Sequence, residues 1–258
     1  MLVFLDTEFT NLQSPELLSI GLVSLDGREH YVELDLQSEI GKARVKASSD
    51  FVRWGGVLDC WGLVANAEAT AWEMGRRTGD WLLSLAQESG RRVEVAFDYM
   101  ADFELLEHAI RDAGTWEWVR DVVLPVNIDA ITCSVHAELA ADECFRSLRK
   151  RGLHRHHALA DALALRAAYV CIKDSAVRVA AVTQTIDFRR LVDVATGAVG
   201  QSGADGSGAG ETAAWLQQWL TSSNSSLGGR RPIEVLEEAD GLGRVEKALL
   251  AIARRVNG

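Results

Sequence analysis

The residues best suited to chemistry come within the first ten, Met1-Leu-Val-Phe-Leu-Asp-Thr-Glu-Phe-Thr10. Residues 2–5 form an apolar run that reads as a strand buried on both faces, and two carboxylates follow it. Strand side chains alternate, so Asp6 and Glu8 leave on the same side, roughly 6 to 7 Å apart along the backbone. Two like charges that close repel unless a cation stands between them. An isolated Asp-x-Glu is equally a pair of solvated acids where a strand meets a turn, so other stretches must decide.

Two do. Val93-Glu-Val-Ala-Phe-Asp-Tyr-Met-Ala-Asp-Phe-Glu-Leu-Leu106 carries Asp98 and then Asp102 at the start of an expected helix. His154-Arg-His-His-Ala-Leu-Ala-Asp161 sets a histidine five residues before an aspartate. Five helical residues carry the chain about 140° past a full turn, so His156 and Asp161 share no face within one regular helix. They meet if His156 lies on the loop before the helix, and Gly152 upstream with the Ala- and Leu-rich run after His157 favours that placement. Asp98 competes with Asp102, and His154 and His157 compete with His156. Hard carboxylate oxygens without soft ligands nearby suit Mg²⁺ or Mn²⁺ over zinc. An imidazole of near-neutral pKa suits abstraction of a proton from water.

The elements that position these groups follow from pattern. After the first strand, residues 17–25 and 30–36 read as two more strands joined by Asp26-Gly27, an antiparallel meander. Residues 37–65 are irregular or short helix. Residues 67–88 turn helical, with Trp72, Trp81, Leu82 and Leu85 facing inward and Gly90 as a stop. A fourth strand over 92–97, a helix over 101–113 closed by Gly114, and a fifth strand over 122–128 follow; Pro125 places that last strand at an edge. Helices over 135–149 and 157–171 complete a mixed sheet with helices on its faces.

The opening Asp6-Thr-Glu8, then Asp102-Phe-Glu-Leu-Leu106 and His156-His-Ala-Leu-Ala-Asp161, resemble the three ordered motifs of the DEDDh exonucleases, a branch of the ribonuclease H-like superfamily. Leu5-Asp-Thr-Glu-Phe-Thr10, Ile20-Gly-Leu-Val23 and Ser49-Asp-Phe-Val-Arg53 further resemble the small bacterial, mycobacterial-type 3′-to-5′ exoribonucleases. The resemblance spans roughly residues 1–170. It implies an α/β fold with a mixed five-stranded ribonuclease H-like sheet flanked by helices. It implies that Asp6, Glu8, Asp102 and Asp161 hold two divalent ions, Mg²⁺ or Mn²⁺, and that His156 is the general base. The Leu105-Leu106 pair selects Asp102 over Asp98, and the motif spacing selects His156. The activity implied is hydrolysis of nucleic acid from the 3′ end to nucleoside 5′-monophosphates, RNA ahead of DNA, although no residue is identifiable as a reader of the 2′-hydroxyl.

Thr7 and Phe9 are expected at the substrate, Phe9 as a stacking platform at the pocket mouth. The run from Arg146 to His157 carries five Arg or Lys and no acid. Within it Arg149, Lys150 and Arg155 are expected to steer phosphates, a local basic patch on a chain whose formal net charge is −10. That overall charge argues against a nonspecific nucleic-acid coating protein. The four cysteines, Cys60, Cys133, Cys144 and Cys171, are scattered without zinc spacing and read as buried, reduced thiols. The early acids exclude a signal peptide, no run is long enough to cross a bilayer, and the expected location is the cytoplasm.

Residues 195–210 are a Gly-, Ala- and Ser-rich stretch that marks a domain boundary. The organisation expected is an exonuclease-like domain over 1–192, a linker over 193–211 and a small all-helical domain over 212–258. In the last, Gly228-Gly229 before Pro232 ends one helix and starts another, and Val245, Leu249 and Ile252 form an apolar face. This piece resembles the toxin-binding domain of Xre, MbcA and ParS-type antitoxins, which implies a RES-type toxin as partner. A self-associating module that makes the chain a homodimer is the alternative, since some forty-five residues hold little core of their own. The rival to the enzyme is therefore an antitoxin-like binding protein whose nuclease-like domain turns over little or nothing.

Overall fold

The computed structural model describes residues 1–132, 134–183, 186–199, 209–236, 238 and 240–256. It divides into two compact units, Met1–Cys171 and Ile172–Gly258.

The first unit is built on a mixed six-stranded sheet in the order β4-β3-β2-β1-β5-β6. Strand β1 (Leu2–Phe9) runs antiparallel to β2 (Leu17–Ser24), which runs antiparallel to β3 (Glu29–Leu34). All eight residues of β2 are buried, as a central strand covered on both faces requires. On the other side of β1, β5 (Val93–Phe97) pairs in parallel, and β6 (Val123–Asn127) pairs in parallel with β5. Pro125, which cannot donate to a ladder, sits on this edge strand, as expected. The sheet has one strand more than the five expected. The extra one, β4, is only Glu68–Ala69, paired in parallel with Glu33 and Leu34 at the far edge. Two residues are too short to show a period of two, and the sequence pattern merges them with the helix that follows.

Short helices α1 (Glu39–Ala47) and α2 (Asp50–Trp54) occupy the stretch expected to be irregular or short helix. Helix α3 (Ala71–Ser89) starts in a capping box made by Thr70 and Glu73 and stops at left-handed Gly90. It packs on α4 (Met100–Asp112), and Gly75 permits the approach, since a Cβ there would lie 1.9 Å from the Ala109 carbonyl oxygen. Trp72, expected to face inward, is exposed instead, with the Arg76 guanidinium over its ring. It falls on the first turn of α3, outside the stripe formed by Met74, Thr78, Leu82 and Leu85. Helices α5 (Trp116–Val119), α6 (Asp129–Thr132), α7 (Val135–Leu148) and the part of α8 (Ala158–Thr183) up to Cys171 complete the unit. Of the cysteines, Cys60 is buried while Cys144 and Cys171 are partly exposed; all three are reduced, and Cys133 lies outside the described residues. Among the described residues no helix is long and apolar enough to cross a membrane.

The second unit is helical: α9 (Ile186–Val199), α10 (Ala209–Thr221), α11 (Pro232–Val235) and α12 (Gly241–Val256). Its core gathers Phe188 and Leu191 from α9, Leu216 and Leu220 from α10, Ile233 and Val235 from α11, and Val245 and Leu249 from α12. The boundary therefore falls earlier than the expected one at 192. Phe188, Leu191, Val192 and Ala195 recur at helical spacing, and that face buries against the C-terminal helices. Residues 193–199, expected as linker, are the end of α9, and residues 200–208 lie outside the described residues.

Candidate metal centre

Register places the acids. Asp6 of β1 stands opposite Gly21 of β2, and Glu8 opposite Ser19, so both carboxylates share a sheet face with Gly21 and Ser19. That face meets the N-terminus of α8. A Cβ on Gly21 would lie 2.2 Å from the carbonyl carbon of Ala158, so the glycine lets the first turn of α8 rest on the sheet. Asp161 sits in that first turn. His156 precedes it on the loop, with its N–H donating to Asp161 Oδ2 at 2.8 Å and its backbone in the left-handed region at φ 66°.

Parallel β5 delivers the chain beside β1, and α4 starts just beyond it. Asp102, in the first turn of α4, is 3% exposed. Its Oδ1 accepts from the Thr7 hydroxyl at 2.6 Å and from the Thr7 N–H at 3.2 Å. Thr7, expected at the substrate, is buried, and its hydroxyl is committed to holding this carboxylate.

One ligand atom each from Glu8, His156 and Asp161 lie within 4.8 Å of one another. Asp6 and Asp102 belong to the same electrostatic cluster. Burial first, then Asp161, Asp102, Glu8 and Asp98, push Asp6 well above the usual carboxylate range. Glu8 is raised to about 8 by burial and then by Asp161 and Asp102. Asp102 and Asp161 each rise to about 7, chiefly through burial, against the lowering effect of hydrogen bonds from Thr7 and from His156 respectively. Acids that crowd one another in this way favour either protonation or a bound cation. The three groups that converge, carboxylate oxygens from Glu8 and Asp161 and one imidazole nitrogen from His156, suit a divalent ion. Asp98, the rival of Asp102, is raised less markedly, by burial and then Asp129.

His156 is held edge-on by the Phe51 ring, centroids 4.9 Å apart. Burial, then Arg155 and His154, lower its pKa, so the imidazole stays neutral at pH 7 and is free to accept a proton or bind an ion. Two clefts flank it. One, of about 860 Å³, is lined by Glu8, Phe9, Asn11, Leu12, Ser49 and Phe51. Here Phe9 is partly buried and stacks towards Tyr99, with centroids 6.4 Å apart. The other, of about 660 Å³, is basic, with Arg146, Arg149, His154 and Arg155 beside His156. Arg155 lies over the Phe145 ring and pairs with Asp142; Arg146 pairs with Glu143, and Arg151 with Glu29 through two bonds. Among the described residues Arg149 and Lys150 make no ion pair, which leaves them the available cations of the run.

The residues that pattern reading did not single out are Phe51, which orients His156, and Thr7 in its role as fastener of Asp102. A hydroxyl between two acids is a signal for the second; the first lies in the stretch Ser49-Asp-Phe-Val-Arg53, which the resemblance takes in without assigning Phe51 a role.

With the geometry in place, comparison with known families adds one match: residues 209–254 fit the antitoxin Xre/MbcA/ParS C-terminal toxin-binding domain. The chain carries a domain of that type at its C-terminus. The matched stretch covers α10, α11 and most of α12, including the turn at Asn224, whose side chain accepts from the Ser226 N–H, and the left-handed Gly228 and Gly229. A comparison of the whole chain with curated proteins found no match.

Proposed function

We propose that the first unit is a ribonuclease H-like, DEDDh-type 3′-to-5′ exonuclease, acting on RNA ahead of DNA, and that the C-terminal unit docks a protein partner. The observation that carries the reading is the convergence of Glu8, His156 and Asp161 within 4.8 Å, with Asp6 and Asp102 charged into the same cluster. Asp6, Glu8, Asp102 and Asp161 would hold two Mg²⁺ or Mn²⁺ ions. Such ions polarise a phosphodiester and lower the pKa of bound water. His156, neutral and turned over the cluster, accepts the proton of the attacking water at a ring nitrogen, a contribution of about 10²- to 10⁴-fold. The cleft at Phe9 and Phe51 receives the terminal nucleoside, and Arg149 and Lys150 attract the preceding phosphates. The product is a nucleoside 5′-monophosphate.

The test is a time course on 5′-labelled RNA and DNA, single-stranded and with 3′ overhangs, with Mn²⁺ or Mg²⁺. Wild type is expected to shorten the strand from its 3′ end; Asp6→Ala is expected to leave it intact. A folded wild type that degrades none of the substrates would remove the enzyme reading.

The second reading is an antitoxin-like binding protein whose first unit is a platform. The observation that favours it is that the family match falls on residues 209–254. Its partner would be a RES-type toxin, in keeping with the antitoxin resemblance, or a second copy of this chain. Co-purification of a co-expressed RES-domain protein by full-length chain, lost on deleting residues 209–256, supports docking; sedimentation of the chain alone reads self-association.

A further inference from the structure

We infer that His157 is a positioning residue, whose imidazole caps α8 and so fixes both His156 and Asp161 over the metal cluster; the inference rests on the metal-centre reading above. The two consecutive histidines have opposite duties. His156 faces the acids, whereas His157 is 1% exposed, with its ring stacked on Tyr31 at 4.4 Å between centroids. Its Nδ1 accepts from the Leu159 N–H at 3.2 Å, the second residue of α8, the bond by which an N-cap side chain satisfies a free amide. Its carbonyl oxygen accepts from the N–H groups of Ala160 at 2.7 Å and Asp161 at 3.0 Å. One residue thus holds the turn that carries Asp161 through its side chain and its main chain.

The anchor continues into the sheet. Tyr31, under the imidazole, donates its hydroxyl to Glu33 Oε2 at 2.8 Å, and Glu33 Oε1 accepts from the Gly62 N–H at 3.0 Å. Tyr31 stands opposite Gly21, the glycine that admits α8, so the stack sits at the point where helix and sheet touch. His156 occupies a left-handed conformation that a side chain rarely adopts, and such strain persists only where its surroundings over-determine it. The cap at His157 and the bond from His156 N–H to Asp161 are that over-determination. Packing alone does not explain the residue type. A phenylalanine would stack on Tyr31 equally well, whereas the histidine leaves its Nε2 buried without a partner. The Nδ1 acceptor is what a hydrocarbon ring could not supply.

The variants that separate these roles are H157F, which keeps the ring and removes the acceptor, and H157N, which removes the ring and keeps a capping oxygen. In the full-length chain, the Mn²⁺ concentration at half-maximal thermal stabilisation is read alongside kcat and KM for 3′-end degradation. H157F is expected to need about 10-fold or more Mn²⁺, the range of residues that orient metal ligands, with kcat falling more than KM rises; H157N is expected to stay near wild type. If H157F does not fold, H157A takes its place against H157N. An H157F protein that titrates like wild type, or H157N and H157F impaired alike, overturns the positioning role while leaving the metal centre standing. A wild type whose melting ignores Mn²⁺ overturns the metal centre and the positioning role together.

Discussion

Asp102→Asn removes one negative charge from the acid cluster without removing its supports. An amide oxygen still accepts from the Thr7 hydroxyl and N–H, now at 2.6 and 3.2 Å. The carboxyl of Asp102 is raised from 3.8 to about 7, mostly by burial, so keeping it ionised in the folded chain above pH 7 is worth about 4 kcal/mol of instability at 1.36 kcal/mol per unit. Solvent entering the clefts, and protons shared with Asp6, Glu8 and Asp161, reduce this to about 1–2 kcal/mol. At roughly 2–4 °C per kcal/mol for a chain of this size, D102N should melt about 2–8 °C above wild type in chelator at pH 7.5. With Mn²⁺ the order changes. Wild type gains about 2.7 kcal/mol at a hundredfold excess over its dissociation constant, and D102N, short of one hard ligand, gains much less. Differential scanning fluorimetry in chelator and in Mn²⁺ reads both effects. A D102N protein that melts below wild type in chelator, or that responds equally to Mn²⁺, would refute mutual repulsion relieved by a cation.

The metal-free protein should lose stability as pH rises from about 4.5 to 8. Glu8, Asp102 and Asp161 have folded values of about 8, 7 and 7, above their ordinary ones, so the stability they confer is full only at the acid end and is lost progressively as pH rises to the folded values. His30 and His157 are depressed to about 4 by burial, so their contribution fades as pH falls from about 6.5 towards 4 and offsets two of the three acids over that interval. A melting profile in chelator should therefore fall gently up to about pH 6.5 and more steeply just above it, and saturating Mn²⁺ should remove the steep part; a maximum near neutral pH would count against these assignments. R149Q with K150Q should lower the salt slope of 3′-end degradation by about 0.7 for each phosphate that is no longer neutralised, with kcat at saturating substrate unchanged; an unaltered slope would leave these cations as a solvated face. In the second unit, Leu220 is fully buried, and L220A should cost about 2–5 kcal/mol there. Hydrogen exchange should then speed up across α9, α10 and α12 while the amides of β1 and β2 keep their protection.

The sheet is legible where a single pattern dominates. Apolar runs and Asp26-Gly27 mark the meander, and Pro125 marks the β6 edge. Beyond that, the ends of elements depend on partners that no local window contains. The apolar run behind Asp6 suggests a strand over residues 2–5, yet β1 extends to Phe9 because its pairing with β2 continues through Asp6, Thr7 and Glu8. The acids are therefore on the strand, and the side that alternation predicts them to share is the one they share with Gly21 and Ser19. Helix α9 departs from the expected linker for a related reason. Its apolar stripe is as visible as any other, but periodicity says that a face is buried without saying against what.

The candidate site adds a further reason why residue order alone is insufficient. Like charges gathered from β1, α4 and α8 push those elements apart, so each carboxylate that arrives on a helix needs its own fastener. For Asp102 it is Thr7, whose N–H and hydroxyl both bind Oδ1. For Asp161 it is the N–H of His156, held in a left-handed turn, with Gly21 allowing the helix close enough for the bond to matter. Neither fastener lies on the element it secures, and the first is separated from its carboxylate by 95 residues. Spacing can nominate an acid for a cluster; only the residues that hold it against its neighbours make the cluster a site. Neither fastener is noticed in the sequence for that role: Thr7 is a buried hydroxyl, and His156, noticed for its ring, holds Asp161 through its main chain.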